Sequence, residues 1–178
     1  FRDAEIPVLA SPAQAIEALR ADEDNVAAAT LGHVIESDPL MTLKLLAHVA
    51  GMRRSDAQTE TENVTTSLVM MGISPFFRNF GLQPTVERWL SDQPLALLGL
   101  QRLLLRAERA ARFAQGFAVH RGDTDADVIR MAVFLYDFAE LLMWCHAPTL
   151  QLQTVQAQRD DPSLRSASVQ RSVLNIEL

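Results

Sequence analysis

The sequence predicts an all-α fold, and three observations carry that expectation. Apolar residues recur at helical spacing in segment after segment, as with Ala27, Leu31, Val34 and Ile35 at i, i+4, i+7 and i+8. Capping residues, prolines and glycines punctuate these segments where helices should start and stop. No segment alternates apolar and polar residues as a half-buried strand would, and no unit recurs at a fixed period.

Taken in order, Phe1–Ala10 is a lead-in whose apolar content is Ile6-Pro7-Val8-Leu9. Ser11-Pro12-Ala13-Gln14 has the form of a capping box and predicts a helix to about Arg20. Asp22–Asn25 is a polar break, and the Ala27–Ile35 stripe follows it. The next helix is the one around which the chain is organised. Ser37 or Asp38 can cap it, Pro39 suits its first turn, and Gly51 supplies a stop. From Leu40 to Ala50 only Thr42, Lys44 and His48 are polar, so this helix should sit inside the domain.

Met52–Glu60 reads as a polar loop with Arg53 and Arg54, and Thr59-x-x-Glu62 as a capping box for a helix with Val64, Leu68 and Met71 inward. Gly72 should end that helix. Ser74-Pro75 should open a short one through Phe76, Phe77 and Phe80, ended by Gly81; Pro84 and Pro94 bracket another, carrying Trp89. The longest helix is expected from Leu95 to about Ala118. Leu97, Leu100, Leu104, Ala107, Ala111, Ala114 and Ala118 step by three and four, and the alanines invite a tight antiparallel neighbour. His120–Asp123 is the turn. Thr124-x-x-Asp127 then caps one helix from Asp125 to about His146, apolar on nearly every side and therefore the second buried helix. Pro148 opens a helix to about Gln158, and Asp161-Pro162 starts a last segment. Val169, Val173 and Ile176 are still in helical register near Leu178, so the chain reads as cut inside a helix and the natural protein as continuing.

At 178 residues the chain suits a single domain over 1–178, large enough to bury roughly 70% of its unfolded surface. No apolar run approaches the ~20 residues of a membrane span, and no basic-then-apolar leader precedes Ile6, so no membrane association is expected. A lone cysteine, Cys145, points to a reducing cytoplasm. The net charge of −6 argues against an extended phosphate-binding face and hence against nucleic acid as a partner. There is no glycine-rich phosphate loop, G-x-S-x-G or Cys-x-x-Cys. Phe76, Phe77, Phe80 and Trp89 lack interleaved basic residues and read as packing rather than as a base-stacking surface.

Three segments together resemble the HDOD family of bacterial signalling domains. SDPLMTLKLLAHVAG is similar to that family's "DP-x-L-x-x-K-L-L" helix, through Asp38, Pro39, Leu40, Lys44, Leu45 and Leu46. TENVTTSLVMMGISPFFRNF is similar to its "T-x-x-A-(I/V)-x-x-L-G" helix, with Gly72 at the glycine; VIRMAVFLYDFAELLMWCHAP is similar to its "A-x-L-L-H-D-I-G-E-L-L-L" helix. The resemblance spans Ile6 to Leu178 in order and spacing. It implies an HD-like helical body without the metal site of the HD phosphohydrolases, serving regulation or scaffolding, often beside cyclic-dinucleotide-signalling or response-regulator domains. Departures sharpen that implication. Ala50-Gly51 stands at the family's usual Asn-Ser, Tyr136-Asp137 at its His-Asp, and Ala139 at the glycine that follows.

An HD-type enzyme gathers histidines and aspartates on divalent metal to make a hydroxide nucleophile. Here His33, His48, His120 and His146 include no i, i+4 pair, Tyr136 cannot stand in for a neutral imidazole, and Arg106 falls where the enzymes carry their first histidine. No metal, cofactor or catalytic residue is therefore expected. Asp137 and Glu140, three apart, could serve acid–base work. The expected reading is that an arginine (Arg102, Arg106 or Arg130) or backbone N–H groups hold them, since an unpaired buried carboxylate is costly. Arg102, Arg106, Arg109 and Arg112 form a basic stripe on the long helix, either a solvated face or a contact for an anion, a nucleotide phosphate or an acidic partner. Cys145 has no nearby base and is not expected to be a nucleophile. The resemblance, together with the missing metal ligands, thus implies a non-catalytic signalling module whose partners are other signalling proteins or attached domains. The alternative is a divergent metal-dependent phosphohydrolase in which Asp137, Glu140 and His48 converge. A weaker third reading is a nucleotide sensor at the arginine stripe.

Overall fold

The computed structural model describes residues 5–52 and 63–175. Their architecture is all-α. The helices are α1 (Ala10–Arg20), α2 (Ala28–Ile35), α3 (Pro39–Met52), α4 (Val64–Met71), α5 (Ile73–Asn79), α6 (Val86–Trp89), α7 (Pro94–Arg121), α8 (Ala126–Phe134), α9 (Phe138–His146), α10 (Pro148–Asp160) and α11 (Ser166–Leu174). The extended pairing among the described residues is a single parallel bridge between Val8 and Thr85.

Two apolar clusters hold the helices together. One gathers Leu31, Ile35, Met41, Leu45, Leu68, Phe76 and Phe77 with Ala107 and Ala111; the other gathers Leu40, Leu90, Leu100, Leu103, Leu141 and Trp144. Both α3 and α7 contribute to each cluster, α3 through Leu40 on one side and Met41 and Leu45 on the other. The first half of α3 is buried as its composition predicts, while Ala47, Ala50 and Gly51 are exposed. Gly51 does not stop the helix. It lies inside α3, and the residues that follow Met52, including Arg53, Arg54 and the Thr59-x-x-Glu62 box, lie outside those described. Asn63 does the capping of α4 instead, its Oδ1 accepting from Thr66 N–H at 2.7 Å.

Further boundaries move for physical reasons. α1 starts at Ala10, before Ser11, because carboxylates from distant elements take its first N–H groups: Asp38 Oδ2 accepts from Leu9 and Glu87 from Ala10. The polar break holds a 3-10 turn over Glu23–Asn25. Gly72, at φ +87°, both ends α4 and opens α5, one residue before Ser74-Pro75. The long helix extends to Arg121 and ends on Gly122 in the left-handed region.

The expected second buried helix is in fact two, and neither is buried on every side: α8 buries Met131 and Phe134, and Phe138 of α9 is half exposed. α8 and α9 are separated by Leu135-Tyr136-Asp137, and the break leaves Tyr136 82% exposed. The Thr124 box is not formed either, since Asp127 accepts from Gln115 Nε2 at 2.8 Å and so joins α8 to α7. α11 stops at Leu174, where Asn175 turns left-handed at φ 54°, so the expected helical register does not run on through Asn175.

Candidate functional site

The break between α8 and α9 places Asp137 just before α9 and Glu140 in its first turn. Across from them, α7 presents Arg106. Arg106 Nη2 donates to Asp137 Oδ2 at 3.0 Å and to Glu140 Oε2 at 2.9 Å. Glu140 Oε1 also accepts from Gln151 Nε2 of α10 at 3.1 Å. Each carboxylate therefore already has a donor, and the centre of the cluster is a fixed cation. With Arg106 57% exposed and the carboxylates 29% exposed, the two ion pairs contribute at most about 1 kcal/mol each. Chemically, the guanidinium places a fixed positive charge between the two carboxylates.

The histidines sit elsewhere. His48 packs edge-on against Phe80 with ring centroids 5.2 Å apart, and His146 lies edge-on to Trp89 at 6.1 Å. His33 lines a separate groove between α2 and α8, near the 2.8 Å pair of Arg130 with Glu36. The convergence of Asp137, Glu140 and His48 that metal chemistry requires does not form. Among the described residues no three His, Cys, Asp or Glu side chains come together as metal ligands. Cys145 is buried, and burial pushes its thiol up to about 12, so it is no nucleophile at neutral pH.

The basic stripe is uneven. Arg106 is committed as described; Arg112 approaches Glu108 at 3.7 Å, and Arg109 Nε donates weakly to Leu105 O at 3.4 Å. Arg102 has no carboxylate partner among the described residues. It faces a groove of about 710 Å³ between α7 and α10, which Arg106 and Arg159 also line. Trp144 of α9 forms part of the wall. It fits only because residue 99 is glycine: a Cβ there would lie 2.3 Å from Cη2 of the indole. Trp144 is 3% exposed, and its Nε1–H has no acceptor among the described residues, a deficit of about 1–3 kcal/mol.

The residues that carried the resemblance on α3 form a second polar assembly, and it is structural. Asp38 is fully buried; its Oδ2 accepts from Leu9 N–H at 2.7 Å and its Oδ1 from Leu40 N–H at 2.8 Å. Burial pushes its carboxyl up to about 6, against the pull of the backbone donors. Lys44 donates to Ile6 O at 3.0 Å and to Gln83 Oε1. Its own burial pushes the ammonium down from its ordinary value, with Glu5 and Asp38 opposing. Asp38 and Lys44 thus pin the lead-in along α3, while Pro39 occupies the first turn of α3 and Gly72 forms the α4–α5 corner.

Sequence reasoning found Arg106, Asp137 and Glu140 but missed Gln151, Arg159 and the Gly99–Trp144 contact. Gly99 in mid-helix was the available signal, since a glycine there costs about 1 kcal/mol against alanine and marks a close approach. Compared with protein families, the chain matches the model described as "HDOD domain" over residues 6–178. Neither the curated proteins nor the solved structures compared with it include a match.

Proposed function

The chain belongs to the HDOD domain family, a family associated with signalling, and we propose that it is a non-catalytic regulatory module acting through contacts with other signalling proteins or with attached domains. The observation that carries this reading is Arg106. Its guanidinium occupies the place between Asp137 and Glu140 where a metal-dependent hydrolase needs an open coordination position. Tyr136, at the position of the family's histidine, is exposed to solvent beside it. The family is in general regarded as lacking the HD metal site, and this arrangement agrees with that view.

The partner surface we infer is the outward face of α7, with Arg102, Arg106 and Arg109 offered to an acidic contact. No helix among the described residues is long and apolar enough to cross a membrane. We read residues 1–178 as one domain, working in the cytoplasm without nucleic acid or a cofactor. The test is direct. The purified protein, supplied with Mn²⁺ or Mg²⁺ and a panel of phosphodiesters and nucleotides, should turn over none of them and retain no metal on dialysis. Stoichiometric metal together with phosphate-ester hydrolysis would reject the reading in favour of a divergent HD-type enzyme.

A further inference from the structure

The groove between α7 and α10 has two chemically different ends. The 3.0 Å Arg106–Asp137 bond and the Gly99–Trp144 contact make α9 antiparallel to α7, and the Gln151–Glu140 bond turns α10 back over α9. α10 therefore follows the direction of α7. Arg106 and Arg159 stand toward one end of the groove and Leu95 and Leu98 toward the other, with Arg102 between them, one turn from Leu98. Leu95 is 66% exposed and Leu98 42%, although both border a concave surface. Along α7 the lining from Leu95 to Arg106 spans about 16 Å at 1.5 Å per residue.

We propose that this groove binds a small amphiphilic anion, a carboxylate or phosphate monoester carried on an aliphatic chain. Three features select that class. Arg102 and Arg159 have no carboxylate partners among the described residues, and Arg106 uses only Nη2 on its own carboxylates, so guanidinium donors remain for an anionic head. Leu95, Leu98, Leu152 and Val155 supply aliphatic lining next to the Trp144 indole, and Glu140 and three uncharged polar side chains of α10 line the groove as well. The about 710 Å³ of space falls within the range of small-molecule sites.

This inference does not depend on the regulatory reading, because a hydrolase or a scaffold could equally carry such a groove. Calorimetric titration with decanoate and with octyl phosphate, both below their micellar concentrations, tests it and separates the two head groups; AMP serves as the nucleotide comparison. Saturation at one site by either amphiphile is expected, with binding weakened about tenfold or more in the Arg102→Gln/Arg159→Gln variant. Leu98→Asp should weaken it as well. All three substitutions are at exposed positions, and unchanged far-UV circular dichroism confirms that the variants fold. Absence of saturation by both amphiphiles, tighter binding of AMP, or unchanged affinity in the arginine variant overturns the proposal.

Discussion

Asp38 has backbone donors to both carboxylate oxygens, yet its burial outweighs them, and the carboxyl is held at about 6 instead of the ordinary 3.8. The sign of the consequence follows from linkage. Between about pH 4 and pH 6 the unfolded chain gives up this proton while the folded chain keeps it, so the unfolded state binds fewer protons and stability falls as pH rises. Below about pH 4 both states hold the proton and no penalty applies. Relative to an Asp38→Asn variant, the wild type should therefore lose up to about 3 kcal/mol on going from pH 4 to pH 7. Denaturant titrations of both proteins at several pH values check this; a difference that stays flat, or grows in the wild type's favour, shows that the backbone donors win instead. Arg106 is the contrasting case. Its ion pairs, exposed on the arginine side, add little to stability.

Among the elements, α7 is the most constrained, because α8, α9 and α10 all pack on it. Its alanines let α8 approach, as Ala107, Ala111 and Ala118 are all buried, and Gly99 lets the Trp144 indole of α9 lie against the backbone. Alanine at 99 would gain about 1 kcal/mol in helix propensity. It would also drive a methyl group to 2.3 Å from an aromatic ring that is itself packed in a core. The steric cost wins, and Gly99→Ala should destabilise the protein by about 1–3 kcal/mol, with a shift in tryptophan emission as the indole moves. Equal or greater stability in urea would show that α9 can slide at no cost. The seam of α7 was legible in the sequence because it is periodic, and so was the Arg106 cluster, because charged residues interrupting an apolar helix must find partners. The division of α8 from α9 was not. Leu135-Tyr136 is apolar and continues the helical pattern, and the break depends on tertiary packing that periodicity does not encode. The capping of α1 was hidden for a related reason: its donors are satisfied by Asp38 and Glu87, residues 29 and 77 positions away.

For the whole molecule, the question is whether two apolar clusters make two cooperative units or one. The clusters meet on the same helices. Leu40 opens α3 in one cluster while Met41, Leu45 and Val49 continue it in the other, and α7 passes from Leu100 and Leu103 to Ala107 and Ala111 in the same way. Neither cluster can lose its packing without freeing one side of both helices. Asp38 adds a further tie, since it joins the lead-in to the start of α3 next to Leu40. The chain should therefore unfold in one step. Trp89 and Trp144 report on the second cluster, because Trp144 belongs to it and Trp89 Nε1–H donates to Cys145 O at 2.9 Å; far-UV circular dichroism reports on every helix. The two signals should trace one coincident transition. Leu40→Ala, which removes a fully buried side chain, should lower stability by about 2–5 kcal/mol and shift both curves together. A fluorescence transition that moves while the circular dichroism transition stays would mean that the clusters fold independently, and that α3 and α7 link them only in space.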